Sequence, residues 1–182
     1  MSPPTDTRVL LDETAIDRAV RQLAEHILAA NQSRADDLCF VGIQRGGVPL
    51  AERLAARVEA ATGVRPPMGI LDITLYRDDL GAHSVPQVGP TRISFPITGR
   101  AVVLVDDVLY TGRTVRAALD ELTDFGRPRR VYLAVLAERG GRELPIQADF
   151  VGARLEAGEH ETIEVRLRER GGADEVVLQR RT

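Results

Sequence analysis

The sequence predicts an α/β protein whose central sheet is mainly parallel and flanked by helices. Two aliphatic runs, residues 38–43 and 101–105, have the length of strands and are apolar on both faces, as in a parallel sheet that helices cover. Each run is followed by a segment whose apolar residues recur at helical spacing. Near the end of the chain, residues 161–168 and 175–179 alternate around a Gly-Gly turn, which predicts a C-terminal β-hairpin.

Length and composition favour one domain over residues 1–182. The chain has 182 residues, 43% hydrophobic and 28% charged, which is enough for one α/β core and short for two. Its formal charge of −3 excludes binding to nucleic acid through overall basicity, so an RNA site has to be a local patch. No apolar run approaches a membrane span, and the polar start is not a signal peptide. We therefore expect a cytoplasmic protein without a membrane partner.

The sequence contains no lysine, so all 24 basic residues are arginine. This excludes P-loop nucleotide binding, Schiff-base chemistry and the response-regulator receivers, each of which needs a lysine. The single cysteine, Cys39, lies in an apolar run. It is predicted to be a buried small side chain rather than a catalytic thiol, and it has no partner for an internal disulfide.

The first element is a helix that ends near Asn31. Residues 1–10 precede it, and two adjacent prolines predict an irregular start there. Thr14 and Asp17 form a pair similar to a capping box. The apolar residues at helical spacing are Ile16, Val20, Leu23, Ile27 and Leu28. The opposite face carries charges of both signs, which is typical of a solvated helix face.

The strand at residues 38–43 leads into a short polar loop and then a helix from Pro49 to about Ala61. The loop residues are Gln44, Arg45, Gly46 and Gly47. The two glycines let backbone N–H groups face outward, and the arginine adds a bidentate donor, so together they suit a diphosphate. Taken alone, Arg-Gly-Gly after a strand is more often a plain turn.

A further strand is predicted at residues 68–76, and Arg77 follows it directly. Residues 78–91 are rich in Gly, Pro, His and Ser and show no periodicity. A long loop of this kind is typical of an active-site lid, and the alternative is a disordered connector.

The strand at residues 101–105 carries the strongest chemical signal, because Asp106 and Asp107 end it and Thr111–Thr114 then open a helix. Backbone N–H groups at the start of that helix can hold a phosphate. The two carboxylates can accept hydrogen bonds from sugar hydroxyls or hold Mg²⁺. A sugar phosphate would satisfy both ends. The alternative is an ordinary strand-turn-helix with solvated aspartates, and the full string argues against it.

The string VVLVDDVLYTGRT resembles the phosphoribosyl pyrophosphate (PRPP) motif of the type I phosphoribosyltransferases. Its residues are most similar to those of the same motif in the pyrimidine operon regulators of that family. The resemblance implies a type I phosphoribosyltransferase fold with a small hood over the base. It places Asp106 and Asp107 on the ribose hydroxyls and Arg77 near the departing diphosphate. The residues implied for the 5′-phosphate are Val108, Leu109, Tyr110, Thr111, Gly112, Arg113 and Thr114. Those implied for the diphosphate are Gln44, Arg45, Gly46 and Gly47.

Base selection is also implied by the resemblance. Purine-salvage relatives usually carry an aspartate just before the Thr-Gly pair, and Tyr110 at that position favours a pyrimidine. After the next strand, residues 130–136, the segment 138–153 caps the base in relatives. The candidates for the uracil site are Arg139, Ile146, Asp149, Phe150 and Val151.

The implied function is uracil phosphoribosyl transfer from PRPP, with Mg²⁺ at Asp106 and Asp107, together with control of pyrimidine operons by UMP or UTP through binding of pyr leader mRNA. The RNA-binding candidates are Arg21 and Arg142. Relatives form homodimers or higher homo-oligomers. One alternative is an enzyme with weak or lost RNA binding, since relatives tend to carry basic residues where this chain has Gln22, Glu25, Gly141, Gln147 and Ala153. Another alternative is a purine-salvage enzyme.

Overall fold

The computed structural model describes residues 7–32, 34–73 and 91–180. The strands are β1 Thr7–Leu11, β2 Leu38–Ile43, β3 Met68–Leu71, β4 Ala101–Leu109, β5 Arg130–Arg139, β6 Phe150–Leu155, β7 Glu161–Arg166 and β8 Glu175–Arg180. The α-helices are α1 Glu13–Ala30, α2 Gly47–Thr62 and α3 Arg113–Leu122. Among these residues, no helix is long and apolar enough to cross a membrane.

Five strands form a parallel sheet in the order β3-β2-β4-β5-β6. Helices α1 and α2 pack on one face, where Val103 and Val105 join their core. Helix α3 packs on the other face with Val102 and Leu104. Strand β4 is central and apolar on both sides because helices cover both faces. The predicted parallel sheet flanked by helices is confirmed.

A second sheet is antiparallel, with the order β1-β8-β7. Strands β7 and β8 form the predicted C-terminal hairpin. Residues 7–11 differ from the irregular start expected of them, because they pair with β8 through Thr7 with Gln179 and Val9 with Val177. The partner strand lies at the other end of the chain, so no local pattern at residues 7–11 indicates the pairing.

Several boundaries also differ from the prediction. Helix α1 is capped by Asp12, whose Oδ1 accepts a hydrogen bond from Ala15 N at 2.8 Å, instead of by Thr14. Strand β4 continues to Leu109, so the acidic pair lies within the strand. Strand β3 ends at Leu71. The strand was predicted to continue to residue 76. Residues 74–90, which include the end of that predicted strand, Arg77 and most of the predicted 78–91 loop, lie outside the described part of the chain.

The turn of the β7–β8 hairpin is tied to α2 by a network of ion pairs. Arg53 of α2 donates to Glu169 at 2.7 Å and to Asp174 at 2.8 Å. Arg168 also donates to Asp174, at 2.6 Å. Burial by itself raises the pKa of Asp174, but the hydrogen bonds from both arginines hold that pKa well below its usual range. The hairpin turn is therefore fixed against the helix that begins at the Gly46-Gly47 loop.

Cys39 is fully buried in β2. Burial raises the pKa of its thiol to about 12, so the thiol stays protonated at neutral pH. The prediction of a buried small side chain is confirmed.

Candidate active site

The acidic pair is held by the backbone at the carboxyl end of β4. Asp107 N donates to Asp106 Oδ1 at 2.9 Å, and Val108 N donates to Asp107 Oδ1 at 2.8 Å. Asp106 is buried, with 6% of its surface exposed. Burial raises the pKa of Asp107, against the lowering effect of its hydrogen bonds with Asp106 and Val108. Both carboxylates are therefore pre-positioned at the edge where parallel sheets bind ligands.

The turn between β4 and α3 has the geometry of an anion site. Gly112 caps α3 with φ +95°, a left-handed conformation that suits glycine. Thr111 O accepts hydrogen bonds from Glu143 N at 3.0 Å and Leu144 N at 3.1 Å, which hold the turn from outside. The first N–H groups of a helix have no intrahelical partner, so they are available to a phosphate.

The loop between β2 and α2 lies directly against the acidic pair. A Cβ built on Gly46 would lie 1.9 Å from Asp107 Oδ2, and one built on Gly47 would lie 2.0 Å from Val105 O. Only glycine permits this close approach of the loop to strand β4. The structure thus brings the Gly46-Gly47 loop against the acidic pair, and the Thr111–Thr114 turn follows at the end of the same strand, β4.

Arg139 lies at the end of β5 and is buried, with 7% of its surface exposed. Its guanidinium stacks over the Tyr110 ring, 4.1 Å from the ring centroid. It also donates to Glu161 O at 2.7 Å and to Ala157 O and Gly158 O at 3.3 Å. The guanidinium of Arg139, a predicted base contact, is therefore engaged by backbone carbonyls. The side chain links the phosphate turn to the start of β7.

The other predicted base contacts do not gather at the acidic pair. Ile146 lies near the phosphate turn, with its Cβ 3.4 Å from the position of a Cβ on Gly112. Asp149 Oδ2 accepts a hydrogen bond from Leu133 N at 2.8 Å. The Phe150 ring packs on Tyr132 in the core, with ring centroids 5.4 Å apart. Val151 is in register with Asp106, but β5 separates the two strands.

A cleft of about 560 Å³ opens between the acidic pair and the hairpin. Asp107 and Val108 line one side, and residues 162–167 of the hairpin line the other. Strand β7 is at the edge of its sheet, so backbone N–H and C=O groups along its outer side are left to face a ligand. Sequence reasoning predicts a structural or interface role for this hairpin, because its alternating pattern carries no catalytic signal.

The two predicted RNA contacts lie in different environments. Arg21 is exposed on α1. Arg142 donates to Tyr110 O and pairs with Glu138 at 2.7 Å, so its guanidinium is engaged by the chain itself. Of the sequence-predicted contacts, Arg77 lies outside the described residues.

The acidic pair could also supply ligands to a metal ion. Among the described residues, no three His, Cys, Asp or Glu side chains gather to hold a metal by themselves. Asp106 and Asp107 are hard oxygen donors, and Mg²⁺ is commonly bound through one or two carboxylates together with substrate phosphates. The two residues therefore fit a magnesium ion that arrives with a phosphorylated substrate.

Comparison with known proteins places these observations in a family. A model of the phosphoribosyl transferase domain matches residues 7–168. The chain is 55% identical to the "Bifunctional protein PyrR" of Roseiflexus sp. strain RS-1 over 175 residues, which cover 95% of each chain. It is 52% identical to the protein of the same name from Thermus aquaticus over 170 residues, 93% of each chain.

Solved structures share the fold at lower sequence identity. The hypoxanthine phosphoribosyltransferase of Trypanosoma cruzi aligns with a TM-score of 0.73 at 18% identity, covering 95% of this chain and 91% of that one. A purine phosphoribosyltransferase from Pyrococcus horikoshii aligns with a TM-score of 0.60 at 24% identity, over 80% of this chain and 85% of that one. At these identities the likeness concerns the fold alone.

Proposed function

The chain belongs to the phosphoribosyltransferase family and, within it, to the PyrR proteins, and from this premise we propose that it is a uracil phosphoribosyltransferase that also regulates pyrimidine operons. The observation that carries the proposal is that the Gly46-Gly47 loop lies against the acidic pair, that the phosphate turn follows at the end of the same strand, and that Asp107 lines a cleft. A ribose with a phosphate at one end and a diphosphate at the other matches these three parts.

In the proposed reaction, N1 of uracil bonds to C1 of PRPP as the bond from C1 to the diphosphate oxygen breaks. The products are UMP, diphosphate and the proton of N1. Asp106 and Asp107 hold the ribose hydroxyls and stabilise positive charge that develops on the ribosyl ring. Residues 108–114 hold the 5′-phosphate through backbone donors and the threonine hydroxyls. The residues proposed for the diphosphate are Gln44, Arg45, Gly46 and Gly47, with Arg77 near the leaving group.

Asp106 and Asp107 would also hold Mg²⁺, which when bound neutralises charge on the diphosphate. The protein's own contribution is to fix these carboxylates before substrate arrives, through the Asp107 and Val108 backbone hydrogen bonds. We propose that the active form is a homodimer or a higher homo-oligomer.

We propose that the base lies in the cleft beside β7. The outer edge of β7 offers backbone hydrogen-bond donors and acceptors. These suit the alternating acceptors and donors along the edge of a pyrimidine base. Tyr110 stands where purine enzymes place an aspartate, and it is covered by Arg139. Ile146 stays a candidate base contact because it lies near the phosphate turn. The proposed effect of Arg139 is to hold the Ala157–Glu161 backbone that leads into β7, and Asp149, Phe150 and Val151 support β6.

An assay with competing bases tests the function. Purified protein with PRPP and Mg²⁺ is offered uracil, hypoxanthine and orotate together, and the nucleotide products are separated. We expect UMP as the main product. IMP as the main product would instead support the purine-salvage alternative, and no nucleotide from any base would contradict the enzymatic proposal.

Thr111→Val should weaken PRPP binding without unfolding the protein. Thr111 is half-buried in the turn between β4 and α3, and its hydroxyl accepts a long hydrogen bond, 3.3 Å, from Arg113 N. The substitution removes one donor to the phosphate and keeps the side-chain volume. We expect a higher KM for PRPP and an unchanged melting temperature, measured on the same preparation. A large drop in melting temperature would mean that the threonine is structural.

Regulation requires RNA binding, and we propose that this binding is weak. Affinity for RNA depends strongly on cations that neutralise phosphates. Glu25 and Gln22 are exposed on α1, and Arg142 is paired with Glu138. Filter binding of a pyr leader hairpin across a salt series should give modest affinity, a shallow salt dependence and tighter binding by Glu25→His. Tight binding with a steep salt dependence that Arg142→Gln leaves unchanged would contradict the proposal.

A further inference from the structure

Arg170 is an exposed arginine at the turn of the β7–β8 hairpin, and it lines the cleft together with Asp107. The other arginines around this turn are paired: Arg166 with Glu175 at 2.9 Å and Arg168 with Asp174 at 2.6 Å. Within the described residues, no hydrogen bond or ion pair engages the side chain of Arg170. Its charge acts instead on Asp107 across the cleft. Arg170 is therefore a cation that faces the site without a carboxylate of its own.

The surroundings of Arg170 hold its backbone in place. Glu169, directly before it, is bound by Arg53, and Asp174, four residues later, is bound by both Arg53 and Arg168. Gly171 follows with φ +84° and ends the turn. Gly171 and Gly172 also line the cleft and add no side chain to fill it. The turn thus presents one long cationic side chain toward an open space.

The opposite wall of this space is formed by Asp107 and Val108, and Asp107 is in contact with the proposed diphosphate loop. Gly46 lies against Asp107, since a Cβ there would be 1.9 Å from Asp107 Oδ2. Asp107 is thus in contact with the loop on one side and faces Arg170 on the other. A guanidinium matches the oxygen geometry of phosphate groups bidentately.

We propose that Arg170 is a further substrate-binding residue, which closes the diphosphate site from the hairpin side. This inference rests on the proposed function, because it assigns the anion in the cleft to the diphosphate of PRPP and to the diphosphate product. The alternative is that Arg170 only balances the charge of Asp107. The two roles differ in what they change: the first alters anion affinity, and the second alters turnover and its pH dependence.

The test uses Arg170→Gln and Arg170→Lys, with Arg180→Gln as a control. Arg180 is also exposed and lies on β8 of the same hairpin, but it does not line the cleft, so the control removes the same charge. Titration calorimetry measures the Kd of diphosphate with Mg²⁺, and steady-state assays measure kcat and the KM values for PRPP and uracil. A charge-assisted bidentate contact predicts about a tenfold or greater rise in diphosphate Kd and in KM for PRPP in Arg170→Gln.

We expect kcat, the KM for uracil and the melting temperature to change little in Arg170→Gln, and Arg170→Lys to recover part of the affinity. Unchanged diphosphate Kd in Arg170→Gln would overturn the proposal, as would an equal loss in Arg180→Gln. A change confined to kcat and its pH profile would show charge balance with Asp107 and would also overturn it. Because the calorimetric measurement needs no base, wild-type protein that binds diphosphate but forms no UMP would contradict the proposed function while still testing Arg170.

Discussion

Asp106→Asn and Asp107→Asn should each lower kcat for UMP formation by about 100-fold or more, because each removes a negative charge next to a developing cation. Asparagine has nearly the same size, and the backbone hydrogen bonds from Asp107 N and Val108 N can still be accepted by its carbonyl. The fold should therefore persist. Circular dichroism checks the fold and a radiolabelled uracil assay measures the rate. Wild-type turnover in both variants would remove the acidic pair from the mechanism.

The pH dependence gives a second measurement on the same pair. Burial raises the pKa of Asp107 above its ordinary value, which for aspartate is about 3.9. The ionised carboxylate is the active form in the proposed reaction, so kcat/KM should fall as the pH decreases through this raised pKa. Asp107→Asn cannot titrate at this position. Its residual activity should therefore lack that acidic decline, and a decline of unchanged position would assign it to another group.

Gly47→Ala should destabilise the protein by about 1–3 kcal/mol, the usual range for overpacking a tight site. The added Cβ would lie 2.0 Å from Val105 O, a backbone atom of the central strand that cannot move independently. For a chain of this size, each kcal/mol lowers the melting temperature by about 2–4 °C. Gly140→Ala is the matched control, because nothing lies within 4 Å of a Cβ there. Equal melting temperatures for the two variants would contradict the tight packing of the loop on β4.

Gly46→Ala separates the effect on activity from the effect on stability. Its added Cβ conflicts with Oδ2 of the Asp107 side chain, 1.9 Å away, and a side chain can rotate. We therefore expect a large loss of kcat and a smaller loss of stability than in Gly47→Ala.

Elements with a strong local pattern were predictable from the sequence. Strand β2 was predicted with its observed bounds, and the strand-turn-helix from β4 into α3 could be predicted because its carboxylates, glycine and threonines are contiguous. Strand β1 was not predictable, because among the residues that the structure describes its strand partner is β8, at the other end of the chain. The extension of β4 past the acidic pair depends on pairing with β5, which a local window does not contain.

The phosphate-binding parts of the site were similarly local, whereas the wall of the cleft is not. Residues 162–167 line it only because the hairpin packs beside the end of β4. The resemblance implies Arg139 as a candidate base contact, whereas in the structure its guanidinium donates to the carbonyls of Ala157, Gly158 and Glu161. The direction of a side chain at the end of a strand depends on which loop returns over it, and that loop comes from a distant part of the sequence.

Arg139 connects the two parts of the protein that are proposed to bind the two ends of a nucleotide. One face of its guanidinium covers Tyr110 of the phosphate turn, and its hydrogen bonds hold Glu161 at the start of β7. With the phosphate at the turn and the base at β7, as proposed above, we expect ordering of one end to lower the entropic cost of ordering the other, and the reverse by thermodynamic reciprocity. Free uracil and free phosphate each reach only one of the two proposed sites. We therefore expect an intact pyrimidine nucleotide to bind more tightly than the separate affinities of its fragments predict.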